Sequence, residues 1–231
     1  MEIIEGSIEN LYARAAKYDF LKNSGKQVVA SAALGAAVGS AALASQAVLL
    51  SNSKWDVKDC DFELNGKHYE GIFENIYFPN GTQAICLIQD NVALVIIDPN
   101  DNKMYIPIGT GTTKKQLQKF YTVIYIALLV ICIFILIISD SDLGFSISGF
   151  IISAIVFYFF IYKSMYKPEE PKGILTKKML ELLGFKNVED INLNKYGYID
   201  KNRGRTMSWV IRYQDAFKEK NPYPKNYFDR K

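Results

Sequence analysis

Residues 120–162 read FYTVIYIALLVICIFILIISDSDLGFSISGFIISAIVFYFFIY, and the architecture of the chain turns on this stretch. No charge interrupts residues 120–139, and none interrupts residues 143–162. At about 1.5 Å of rise per residue, the run 120–138 covers most of a hydrocarbon layer roughly 30 Å thick. It holds fourteen Leu, Ile, Val or Phe residues. On an insertion scale these contribute about −0.3 to −0.6 kcal/mol each, roughly −4 to −8 kcal/mol together. A helix in a soluble core would carry polar residues on its wet face. Both runs therefore read as membrane-spanning helices. The bend between them, Ser139-Asp140-Ser141-Asp142 ahead of Gly144, is short enough to force an antiparallel hairpin.

The flanks orient that hairpin. Lys114, Lys115 and Lys119 precede it, Lys163 and Lys167 follow it, and the bend has no Lys or Arg. The positive-inside rule places both ends in the cytoplasm and the bend on the far side. Tyr158 and Tyr162 fall where an interfacial aromatic belt sits. Asp140 and Asp142 are candidate acidic pore or loop residues, set against the plainer reading of solvated loop carboxylates.

Beyond the hairpin the chain is unremarkable in bulk. Its 231 residues carry 27 Lys and Arg against 24 Asp and Glu, a net charge of +3. No Arg/Lys stripe interleaves with aromatics, which excludes a nucleic-acid surface. Cys60, Cys86 and Cys132 are odd in number and widely spaced, so neither a disulfide framework nor a zinc site is expected. Cys60 and Cys86 could pair in an oxidising compartment, but their spacing does not demand it.

Residues 28–50, VVASAALGAAVGSAALASQAVLL, are also uncharged. Eight Leu or Val residues supply roughly −2 to −5 kcal/mol, opposed by Ser, Gly and Gln. Ser31, Gly35 and Gly39 share one helical face, a small-residue spacing that permits close packing of membrane helices. A full crossing here would put the lysine-rich hairpin flanks on the wrong side. The segment is therefore expected to pack against the membrane or the hairpin, or to insert conditionally. Ala42-Leu43-Ala44 resembles a signal cleavage site, but Glu2, Glu5 and Glu9 make an acidic, overlong n-region.

The remainder alternates in the manner of short strands. Ile3, Ile4 and Ile8 open an early strand pattern. Residues 62–64 lead into Asn65-Gly66, then residues 68–73 follow; Asn-Gly between alternating runs is a strong hairpin signal. Residues 76–78, Pro79-Asn80-Gly81 and residues 83–89 repeat the pattern. The apolar run 93–97 is closed by Asp98-Pro99-Asn100-Asp101-Asn102 and answered by residues 104–108. The expected fold is an α+β membrane protein with a small barrel of OB or SH3-like type. Residues 1–27 give the barrel's first strands, 28–50 an Ala-rich helical insertion, and 51–119 the rest of it. Residues 120–162 form the hairpin and 163–231 a cytoplasmic α-helical and irregular region.

Little in the sequence carries chemistry. His68, the only histidine, lies in a strand beside a hairpin turn and reads as structural. Residues 109–114, GTGTTK, lack the spacing of a phosphate loop and read as a flexible linker from barrel to membrane. Pro168-Glu169-Glu170-Pro171 reads as a break ending the second span. Leu175, Met179, Leu182 and Leu183 recur at helical spacing before Gly184, a C-cap. The later aromatics, Tyr196 to Phe228, sit among Lys and Arg and suit either a lipid surface or the barrel wall. No catalytic, cofactor-binding or metal-ligating set is expected.

Several motifs resemble a group of bacterial type VI secretion system effectors. They are Gly6-Ser7-Ile8-Glu9-Asn10, an Ala/Gly-rich insertion, Phe62-Glu63-Leu64-Asn65-Gly66-Lys67, the Asn80-Gly81 turn, and Ile106-Pro107-Ile108-Gly109 before a membrane hairpin. The resemblance covers residues 2–162. It implies an inner-membrane protein of interbacterial competition, either a membrane-acting effector or its immunity partner, with a protein partner to match. The alternative is a resident membrane scaffold whose barrel binds a protein, though NfeD-type proteins place membrane before barrel, the reverse of the order here.

Overall fold

The computed structural model describes residues 1–18, 55–138, 143–202, 204–218 and 221–230. The chain is α+β. Among the described residues it has a closed five-stranded barrel, three further strands, and three long helices, two of them long and apolar enough to cross a membrane.

Strands β1 (Glu2–Tyr18), β2 (Trp55–Leu64), β3 (Lys67–Phe73), β4 (Gln83–Gln89) and β5 (Val92–Asp98) form the barrel. The long β1 serves two neighbours. Its first part pairs with β4, from Glu2↔Ile88 to Ser7↔Gln83, and its second with β2, from Ile8↔Leu64 to Tyr18↔Trp55. The change falls between Ser7 and Ile8, and a bulge follows between Glu9 and Tyr12, where Asn10 takes φ +50°. A bulge bends its strand and raises the local twist, which lets one strand turn a barrel corner. A parallel contact of Glu70 with Val92 closes the circuit in the order β1-β2-β3-β5-β4-β1.

The turns follow local chemistry. Asn65 and Gly66 have φ +53° and +73°, the double left-handed geometry of a two-residue hairpin. Asp90 and Asn91 repeat it between β4 and β5 at +51° and +63°. Asp98 closes the next hairpin, its Oδ1 accepting from the N–H groups of Asn100 and Asp101 at 3.1 Å each. At Gly6 a Cβ would collide with the Asn65 side chain, whose Nδ2 donates to Glu5 O at 2.9 Å. Only glycine lets that turn lie on β1.

Strand β6 (Lys103–Tyr105) continues the sheet from β5, and β8 (Arg205–Ile211) and β7 (Gly197–Asp200) follow it. Two cores result. The barrel interior holds Ile8, Phe62, Tyr69, Phe73, Cys86 and Tyr105. The second lies on the opposite face of the same strands and includes Ile85, Leu87, Val95, Ile97 and Met104. Helix α3 (Lys167–Leu182) covers it with Leu175, Met179 and Leu180, and the C-terminal aromatics Phe185, Tyr213, Phe217 and Tyr223 complete it. Buried on both faces, β5 has no wet side, which accounts for its unbroken apolar run.

Four expectations change. Residues 76–78 form no strand and no hairpin with β4. Their segment instead crosses the barrel end, where Phe78 is buried, Leu11 N donates to Asn80 Oδ1 at 3.1 Å and Gly81 N donates to Ile8 O at 2.7 Å. The C-terminal region is not only helical and irregular, because β7 and β8 extend the sheet through Met104↔Ile211. It lies against the barrel wall. The proline pair does not end the second long helix. Helix α2 (Leu143–Phe160) runs through a π-helical segment, Ile161–Tyr166, directly into α3. The π segment ends just before Pro168, where its i→i+5 offset gives room for the proline ring, and Pro171 lies inside α3. Residues 109–113, finally, are a packed joint and not a flexible linker.

Candidate functional site

The joint sets the geometry of everything above it. Thr110 and Thr113 are buried; Gly111 N donates to Thr176 Oγ1 at 3.0 Å, and Thr113 Oγ1 donates to Glu189 O at 2.6 Å. Helix α1 (Lys114–Ile138) rises from this anchored loop. Its first turns are tied down by ion pairs: Lys114 to Glu170 at 2.6 Å, Lys115 to Asp190 at 2.8 Å and Lys119 to Asp190 at 2.6 Å. The paired lysines hold the Asp190 carboxyl below its usual range, Lys115 foremost, and Lys177 does the same for Glu189. These exposed pairs position the helix base more than they stabilise it.

Above the base, α1 and α2 run antiparallel, with Tyr121 meeting Tyr166 and Tyr125 meeting Tyr158. Between them lies a half-open cavity of about 380 Å3. Helix α1 contributes Gln118, Tyr121, Thr122 and Tyr125; α2 and the π segment contribute Tyr158, Ile161, Tyr162 and Tyr166. The tyrosines recur every four residues on both walls. Tyr158 and Tyr162 lie 6.0 Å apart with planes 7° from parallel, and Tyr162 and Tyr166 5.6 Å apart at 27°. The α1 rings meet this ladder edge-on, at 79° for Tyr121 and 73° for Tyr125. At the water-side end Tyr166 OH donates to Glu170 Oε1 at 3.2 Å. The arrangement offers aromatic faces, hydroxyls and one amide around a space wide enough for a small group.

Above the cavity both helices are bare. Val123, Val130, Phe134, Ile152, Val156 and Phe160 are each more than half exposed. None of the apolar window of α1 is buried, and 11% of that in the second helix is. Apolar surface of this extent marks a contact face for lipid or protein.

The residues singled out in the sequence fare unequally. Ser31, Gly35, Gly39, Asp140 and Asp142 lie outside the described residues. Cys60 and Cys86 are free thiols in the barrel interior, each pushed up to about 12, foremost by burial. His68 lies on the outer barrel surface, exposed, with Asp61 and Glu70 near enough for their ligand atoms to fall within 4.8 Å. His68 Nε2 is 4.0 Å from Asp61 Oδ1. That surface cluster leaves water free access. Tyr158 and Tyr162, expected as an aromatic belt, line the cavity; the sequence shows the four-residue spacing at 121/125 and 158/162/166 but not that the two rows face each other.

No family model matches this chain. No curated protein matches it, and no solved structure does. The functional reading therefore rests on the geometry above and on the short motifs.

Proposed function

We propose that this chain is a multi-pass protein of a bacterial inner membrane, with α1 and α2 crossing as a hairpin. The barrel and C-terminal region stand on the cytoplasmic side as a binding module, not as an enzyme. One observation carries this reading: two long bare apolar helices project from a domain whose own two cores are already filled. Such helices have no covering surface within the described residues, and lipid removes them from water at the lowest cost. The lysines at the helix base and the lack of Lys or Arg in the bend support the orientation. The five-strand order with parallel closure between β3 and β5 supports the OB-type member of the expected pair.

The test is a pair of reporter fusions, one within residues 139–142 and one after Lys231. A phosphatase active only outside the cytoplasm should work at the first position, and a fluorescent protein should fold at the second. A cytosolic bend, or a chain that stays monodisperse without detergent, would sink the membrane reading.

Within that frame the motifs of residues 2–162 support a role in type VI secretion, as a membrane-acting effector or its immunity partner. Export of the chain to the periplasm of a sensitive cell, with membrane potential as readout, separates the roles. Loss of potential identifies an effector. Unchanged potential and growth remove that role, and protection against a co-expressed toxin then identifies immunity. Failure of both leaves the resident scaffold, in which the barrel binds a protein of the same membrane.

A further inference from the structure

We propose that the tyrosine-lined cavity holds the head group of a phospholipid bearing a primary ammonium, of the ethanolamine type. The inference rests on the membrane reading above. Its starting point is a void where packing should have closed. Two helices that merely touch interdigitate, and protein interiors leave few spaces larger than a water molecule. Here the π segment and the five tyrosine rings leave about 380 Å3, within the range of small-ligand sites.

Depth selects a lipid. At 1.5 Å per residue, Gln118 and Tyr125 stand roughly 6 and 16 Å along the helix from Lys114. Lys114 is tied to the water-facing Glu170. The cavity thus spans the head-group level and the top of the acyl layer, and its open side leaves the chains in the bilayer. Tyr166 and Ile161 close the inner wall, buried, while Tyr158 and Tyr162 stay exposed on the side open to the bilayer.

Chemistry selects the head group. Aromatic faces attract an ammonium. Tyrosine hydroxyls, the Thr122 hydroxyl and the Gln118 amide can donate to phosphodiester or ester oxygens. No cation is among the residues that line the cavity; Lys114 and Glu170 neutralise each other at its water-side end, and Lys119 pairs with Asp190. A primary ammonium can use the rings and also donate N–H to tyrosine hydroxyl oxygens and to Gln118 Oε1. A quaternary one can use only the rings.

The full chain reconstituted in lipid nanodiscs tests this by native mass spectrometry. Discs of phosphatidylcholine are doped with equal phosphatidylethanolamine and phosphatidylglycerol, and the lipids retained on ejection are counted. Retention of the ethanolamine lipid about tenfold above both others is expected, the size of one charge-assisted hydrogen bond that only the primary ammonium can make. The double variant Tyr121→Leu/Tyr162→Leu, which keeps the helices apolar, should abolish that preference. Tyr12→Phe on the barrel surface should not. Equal retention of the three lipids would mean acyl filling alone and overturn the proposal, as would a glycerol-lipid preference or a preference that survives in the Leu variant. A chain that does not enter the discs would overturn the membrane reading and this one together. Insertion without selectivity overturns this one only.

Discussion

Gly173 of α3 passes Lys114 at the foot of α1 so closely that a Cβ on the glycine would lie 2.7 Å from the Lys114 backbone nitrogen. The same atom would meet Lys114 Cα and Leu117 Cδ1 at 2.9 Å. Two helix backbones therefore touch where the hairpin meets the domain, and the ion pair from Lys114 to Glu170 lies beside the contact.

Gly173→Ala should force that crossing apart. A loss of about 1–3 kcal/mol is expected, the usual cost of overpacking, measured by thermal unfolding in detergent. Gly149→Ala on α2 meets nothing within 4 Å and should be neutral or slightly stabilising through helix propensity. Equal effects of the two would refute the close crossing.

Thr176 accepts the buried N–H of Gly111 at 3.0 Å and itself donates to Lys172 O at 2.8 Å. Thr176→Val keeps the shape and strands that N–H, at a cost of about 1–3 kcal/mol. Thr176→Ser should recover most of the loss in the same unfolding assay.

Glu74 joins the segment that crosses the barrel end to β8, its Oε2 accepting from Trp209 N at 2.9 Å. Burial raises its pKa, and the hydrogen bond from Trp209 only partly offsets this. A carboxyl raised on folding binds its proton more tightly in the native state. Its ionisation therefore removes stability as pH rises from the unfolded value, 4.5, through the folded one. Glu74→Gln keeps an acceptor without the charge. It should raise the melting temperature at pH 7 and change it little at pH 4. A gain of the same size at both would contradict the sign.

Cys60 and Cys86 should resist a maleimide at pH 8 in the folded protein and react once it is unfolded. Burial pushes both thiols up to about 12, which leaves almost no thiolate, and the barrel wall blocks access. Rapid native labelling of either, read by mass spectrometry, would mean an open barrel.

The barrel was largely legible because its signals are local. Asn65-Gly66 can take its two positive φ values at little cost, and the Asp98 turn rests on one side chain binding backbone two and three residues on. The run 93–97 is legible as a continuous apolar strand, and its burial on a second face is the structure's finding. What covers that face could not be read, since α3 and Tyr213 arrive from far along the chain. Strand β7 is only four residues, GYID, and forms because β8 lies beside it. The π segment escaped for another reason. Pro168 and Pro171 announce a break, and no residue pattern reports an i→i+5 offset that lets the helix carry on through them. Residues 109–113 look loose by composition, and only their partners Thr176, Glu189 and Ile191 show them to be fixed.

The unbroken path from α2 through the π segment into α3 makes these elements a single strut, with one half among bare apolar side chains and the other wedged against the sheet. Its fulcrum is the crossing at Gly173. Leu175 and Met179 on its inner half pack in one core with residues of β4, β5 and β6, so any tilt of the outer half would bear directly on that core.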